Sequence, residues 1–242
     1  MKNTTARKKF KKHLGNANQF LVTSMVALHH LNQSDIYEAP EELNTSWSPI
    51  DRKTAINRSR IFIRKSFLAW AVDGIDMYIS ILNRFPKYLQ EPKEQEILDR
   101  AGRSVYKKSI DLGKALKVNE TIIALLDVLI TWRNNAIHSL ADNELLSETK
   151  TVINQNKKFI SENFRGLEPS TLISKAESGS DLTFKETTSL INVAHKFVEE
   201  LDEAIIKKLD KKSFAVNAIR SNFKHNKEFA RKFSSLQGEK RK

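Results

Sequence analysis

Residues 131–139 read Thr-Trp-Arg-Asn-Asn-Ala-Ile-His-Ser. Arg133 and His138 are the two side chains there best suited to chemistry, with Asn134 directly after the arginine. An imidazole titrates near pH 6.5 when unperturbed, so it can take or give a proton at neutral pH. A guanidinium presents a planar fork of donors that suits the oxygens of a phosphate or a developing oxyanion. Together they offer proton transfer beside anion stabilisation. The loose pattern of arginine followed by histidine five or six residues later is common, and the chain holds three matches: Arg7 with His13, Arg133 with His138, Arg220 with His225. Requiring Asn directly after Arg lowers the chance expectation to roughly 0.02. Only Arg133-Asn134 meets it.

A helix must position this group. Ile122, Ile123, Leu125, Leu126, Val128, Leu129 and Ile130 precede it, with Ile122, Leu126, Leu129 and Ala136 near one stripe. Asp127, Thr131, Asn134 and His138 form a second, wholly polar stripe. Asn119 is placed to cap the start of this helix. Residues 133 and 138 lie five apart, so on an ideal helix they diverge by about 140°. Asn134 and His138, four apart, would share a face. One chain would struggle to aim both head groups at one phosphate, so the reading is a composite site built by a homodimer.

The surrounding chain favours helices. Only 7 Gly and 5 Pro occur in 242 residues, and Leu, Ile, Ala, Lys and Glu fill the long segments. The fold class is all-α: an antiparallel bundle of four to five core helices with helical extensions at both ends. The absence of cysteine excludes disulfides, thiol nucleophiles and cysteine-ligated metals. No histidine spacing suggests a metal site, since His29 and His30 are adjacent and face different ways; no metal or cofactor is expected. No stretch approaches ~20 apolar residues. The apolar run from Phe20 to Leu28 is interrupted by Thr23 and Ser24, so the expectation is a cytoplasmic protein without a membrane segment.

Formal net charge is +12. Residues 1–13 hold six Lys/Arg and no acid, and residues 207–242 hold twelve against three acids. The ends are cationic and the body slightly acidic, which suits a polyanion such as nucleic acid. Lys8, Lys9, Lys211, Lys212, Arg220 and Lys224 are the candidate phosphate contacts. The aromatic residues Phe214, Phe223, Phe229 and Phe233 interleave with lysines, either to stack bases or, by their helical spacing, to dock on the body.

Along the chain, residues 1–47 read as a disordered basic arm followed by a short helix over 17–31. Residues 48–212 read as the bundle and 213–242 as a basic tail. Within the bundle a helix starts at Ser48-Pro49-Ile50-Asp51, with Ser48 as cap and Pro49 in the first turn. It runs to about Arg84 before Pro86, buries Phe62, Leu68, Val72, Ile75, Ile79 and Leu82, and has a candidate break at Arg58–Arg60. The next spans Lys93 to Leu116. Glu144 to Phe164 is weaker, followed by Gly166, Pro169 and a polar link around Ser178-Gly179-Ser180. Leu182 to Leu209 is strongly periodic. Trp70 and Trp132 are assigned to the core. Asp73 and Asp76 either orient Arg133 or His138 across the bundle or pair with Arg60, Arg64 or Lys65.

Arg133-Asn134-x-x-x-His138, late in a run of helices, resembles the motif of the HEPN superfamily (higher eukaryotes and prokaryotes nucleotide-binding domain). The resemblance spans roughly residues 48–210 and rests on the six-residue motif. It implies a metal-independent endoribonuclease, usually a homodimer, often a toxin or a phage-defence (antiviral) effector with an antitoxin or defence-system partner. It implies Arg133 and His138 as catalytic and Asn134 as supporting. One branch carries Tyr two residues after the histidine; here that position is Leu140. RNA brings its own nucleophile, the 2′-hydroxyl, so the implied products are a 2′,3′-cyclic phosphate and a 5′-hydroxyl. The alternative is a non-catalytic helical module that binds nucleic acid or protein.

Overall fold

The computed structural model describes residues 2–33, 41–44, 49–138 and 140–220. These residues are mainly helical and include no strand, so the fold is all-α. Helix α1 (Thr5–Gln33) buries Ala6, Phe10, Leu14 and Leu21. The steps of four, four and seven keep these residues on one stripe, which lies along α2 (Arg52–Leu82). The two run antiparallel. The Arg52 guanidinium meets the Leu31 carbonyl, His13 Nε2 lies 3.2 Å from the Trp70 carbonyl, and Thr5 N–H donates to the Tyr88 hydroxyl at 3.3 Å.

The N-terminal segment is therefore not a disordered arm. Its hydrophobic spacing gives it a face to bury, and polar groups lock it down. Arg7, only 5% exposed, pairs with Glu199 and lies 3.7 Å from Glu203. Asp202, fully buried, accepts from the Thr4 amide at 3.1 Å, from the Thr4 hydroxyl, and from the Tyr78 hydroxyl at 3.2 Å. Burial beside this carboxylate pushes the Tyr78 hydroxyl far above its ordinary pKa. These contacts join α1 to the end of α9 (Phe184–Lys208).

Other boundaries also differ from the sequence reading. Helix α2 is capped by Asp51, whose side chain accepts from Thr54 N–H at 3.1 Å. Pro49 precedes the helix rather than opening it, and Ser48 lies outside the described residues. The helix runs unbroken through Arg58–Arg60. The segment read as one helix over 93–116 is two, α3 (Pro92–Ala101) and α4 (Val105–Ala115). Gly102 turns the chain with φ +54°, and Ser104 caps the new start. The weak 144–164 helix is also two, α6 (Ser147–Gln155) and α7 (Lys157–Asn163).

Helix α8 (Pro169–Ser178) occupies a stretch to which the sequence assigns no helix, and it ends at the expected link around residues 178–180. Pro169 occupies its first turn. Glu168 caps it by accepting from the Ser170 and Thr171 amides, which holds the carboxyl pKa down at about 2. Helix α9 opens on a capping box between Thr183 and Glu186. Residues 211–220 are helical, and the Phe214 ring sits 4.5 Å from Tyr88.

Helix α5 (Glu120–Ile137) is the centre of the bundle, touching α2, α4, α6, α8 and α9. Every residue from Thr121 to Trp132 is buried. Asn119 caps it as expected, accepting from Thr121 N–H at 2.9 Å and Ile122 N–H at 3.4 Å. It runs antiparallel to α9: the Asn119 amide donates to Glu200 at 2.8 Å near one end, and Trp132 Nε1 donates to the Ser180 carbonyl at 2.8 Å near the other.

Candidate active site at the end of α5

The sequence that builds α5 changes character at Arg133. Apolar residues upstream drive the helix into the core. From Arg133 onward the residues are half-buried, and Ile137 and His138 are exposed. The motif therefore lies where the central helix reaches the surface.

Arg133 is held from two sides. Its Nη1 donates to Asn134 Oδ1 at 3.0 Å, and its Nη2 donates to Asp73 Oδ1 at 3.2 Å. The guanidinium side chain is 21% exposed, whereas Asp73 is 64% exposed. Its buried Nε has no hydrogen-bond partner. Asp73 thus takes the orienting option, across the contact between α2 and α5. Asp76 does not reach the motif and does not pair with Arg60, Arg64 or Lys65; it pairs with Lys108 of α4 at 2.9 Å. Lys65 pairs instead with Asp181 at 3.2 Å.

His138 departs from the helical-wheel expectation. It is the residue after the last helical one, with φ −100° and ψ 109°. Its backbone N–H still donates to the Asn134 carbonyl at 3.0 Å, but the chain then leaves the helix axis. The angles drawn for an ideal helix through position 138 do not apply to it. The polar stripe divides accordingly. Asp127 accepts from the Thr131 hydroxyl at 3.1 Å and the Thr149 hydroxyl at 2.6 Å, deep under α6, while Asn134 turns to Arg133. Burial raises the Asp127 pKa despite these hydrogen bonds. The His138 ring is exposed and has no hydrogen-bond or ion-pair partner among the described residues.

The residue that shapes this end is Asn135, which the sequence reading passed over. Its Nδ2 lies within donating distance of the Asn143, Ala176 and Glu177 carbonyls, at 2.8, 3.0 and 3.1 Å. Its Oδ1 accepts from the Asn143 amide at 2.9 Å and the Asn143 side chain at 2.8 Å. One amide thereby ties the end of α5 to the end of α8 and to the chain returning after His138. Gly179, at φ +62°, ends α8; a Cβ there would stand 2.9 Å from the Asn135 carbonyl oxygen. The available signal was Asn135 beside the motif together with a glycine five residues before the next long helix. Neither has meaning until α8 is known.

The candidate phosphate contacts divide differently from the two-tail picture. Lys8 and Lys9 are exposed on α1, and Lys211, Lys212 and Arg220 are exposed after α9. Thr4 joins Asp202, and Phe214 stacks near Tyr88, so these two segments converge at one end of the bundle. Phe214 docks on the body. Lys224, Phe223, Phe229 and Phe233 lie outside the described residues. Trp132 is core, 1% exposed, but Trp70 and Phe62 are not: they are 51% and 70% exposed along the seam between α1 and α2, where Trp70 stacks on His13.

Among the described residues no helix is long and apolar enough to cross a membrane, and no group of three or more His, Asp or Glu side chains could hold a metal ion. What the fold and this site define is an all-α bundle with an arginine–asparagine–aspartate cluster at the surfacing end of its central helix. No family model, no curated protein and no solved structure matches the chain.

Proposed function

We propose that the protein is a metal-independent endoribonuclease of HEPN type, acting as a toxin or phage-defence effector through a composite site in a homodimer. The observation that carries this reading is the Arg133 guanidinium, clamped by Asp73 and Asn134 within five residues of an exposed, unpartnered imidazole. In this reading His138 moves the proton of the attacking 2′-hydroxyl or the leaving 5′-oxygen. Arg133 meets the charge that builds on the phosphorane oxygens. Asn134 and Asp73 hold the guanidinium in place before RNA arrives, so its ordering is not part of the barrier. The convergent lysines, at the Asn119 end of α5 and so away from Arg133, supply sequence-independent affinity for a more distant stretch of the same RNA backbone.

A second reading has one observation in its favour. Phe20, Phe62 and Trp70 leave an exposed apolar face on α1 and α2, as in a module that binds another protein without catalysis. One experiment separates the two. Purified protein is incubated with RNA in chelator beside Arg133→Ala and His138→Ala. The ribonuclease reading expects cleavage by the wild type and a loss of about 10²-fold or more in each variant. Equal cleavage by all three, or cleavage that requires magnesium, overturns it.

A further inference from the structure

A second concave site lies away from the motif, between α1 and α9. One turn after another of α1 (Lys11, Gly15, Asn18) faces the first half of α9, and the cleft between them has a volume of about 540 Å³. That is in the range of sites that hold small molecules rather than single waters. Its chemistry is sorted. Phe67 and Phe184 provide apolar surface, Asn18 and Asn192 provide amides, Lys11 and Arg165 provide cations, and no carboxylate lines it. Gly15 has open space where a side chain would stand, which leaves that wall clear.

Two further observations bear on what this cleft can hold. Lys11, Asn18 and Arg165 are exposed and Asn192 is half-buried, and none of these side chains has a hydrogen-bond or ion-pair partner among the described residues, so each is available to a ligand. Arg165 also sits at φ +56°, a backbone conformation costly for any residue but glycine. The next residue, Gly166, lies so close to Lys185 that a Cβ would stand 3.2 Å from its ammonium. The strained turn thus contributes Arg165 to the cleft wall, with Lys185 beside the following glycine. His195 lines the same cleft, and burial, then Lys11, lower its pKa, so at neutral pH its ring adds hydrogen-bonding capacity without a further charge.

We propose that the α1–α9 cleft binds a small organic anion: a flat apolar body against Phe67 and Phe184, read by Asn18 and Asn192, with its phosphate or carboxylate at Lys11 and Arg165. The site is independent of Arg133 and His138, so it stands or falls separately from the ribonuclease reading.

The test is isothermal titration of the full chain with phenyl phosphate, benzoate, phenol and inorganic phosphate. One of the two aryl anions is expected to bind saturably at one site, at least about tenfold tighter than phenol or inorganic phosphate. The tighter of the two identifies the acid group. Arg165→Gly is the decisive variant, because glycine accepts the backbone angle while removing the cation. Its melting temperature is expected to hold or rise while aryl-anion binding weakens by about tenfold. Lys11→Gln, on an exposed helical position, weakens binding in the same way. Absence of saturable binding by both aryl anions, equal affinity for inorganic phosphate, or unchanged binding in both folded variants overturns the proposal.

Discussion

Asp73 is the side chain whose role is most open to a clean measurement. It is mostly exposed, so its pair with Arg133 contributes at most about 1 kcal/mol to stability. Its value in the proposed mechanism is geometric, as a positioning residue that keeps the guanidinium aimed. Asp73→Asn is therefore expected to leave the melting temperature nearly unchanged while lowering the single-turnover cleavage rate by about tenfold, with RNA affinity little altered. Wild-type rates in that variant would show that the pair is only a surface tie. Asp76, three residues on, serves as an internal control, because its partner Lys108 lies on α4. The two aspartates look equivalent in sequence; which of them faces α5 depends on how α2 is rotated against its neighbours.

At the scale of elements, α8 and its glycine stop hold the motif helix at its end. Gly179→Ala places a methyl group 2.9 Å from the Asn135 carbonyl at a positive φ. The expected cost is about 2–3 kcal/mol in denaturant unfolding, from strain plus displaced backbone. Gly179 itself is left-handed (φ +62°, ψ +16°), so the backbone alone costs an alanine there about 1–2 kcal/mol. A loss no larger than that would mean that the close approach at Gly179 has no energetic weight.

The bundle's long helices were legible because their burial is periodic over many turns: α5, with its Asn119 cap, and α9 emerge close to the expected limits. Helix α8 was not, because ten residues between Pro169 and Gly179 with only Pro169, Leu172 and Ala176 buried give too little periodicity to distinguish from a link. The motif's residue types were legible, but its geometry was not. Where α5 stops is decided by Asn135 reaching residues 143, 176 and 177, which no local pattern encodes. The outward position of Trp70 and Phe62 defeats a rule that places large apolar side chains inside.

At the scale of the whole molecule, the N-terminal residues belong to the core. The stripe Ala6, Phe10, Leu14, Leu21 was present in the sequence but was outweighed by the lysines between its members. Phe10 is fully buried and stands edge-on to both Tyr78 and His195. Phe10→Ala is expected to cost about 3–5 kcal/mol by chemical denaturation, whereas the neighbouring exposed Lys9→Ala stays within about 0.5 kcal/mol. A neutral Phe10→Ala would restore the picture of a detachable arm. With α1 locked in place, the exposed lysines at its start and those after α9 form one cationic end of the bundle rather than two separate tails. That end adjoins the start of α5 and the motif lies at its other end, so RNA held there is expected to run along the bundle to reach Arg133 and His138. The most direct test of that account is the chemistry of the cut ends made by wild-type protein on RNA in chelator. The account predicts a 2′,3′-cyclic phosphate facing a 5′-hydroxyl, made by wild type and lost in His138→Ala. Fragments ending in a 3′-hydroxyl and a 5′-phosphate, or intact RNA at every protein concentration, would contradict it.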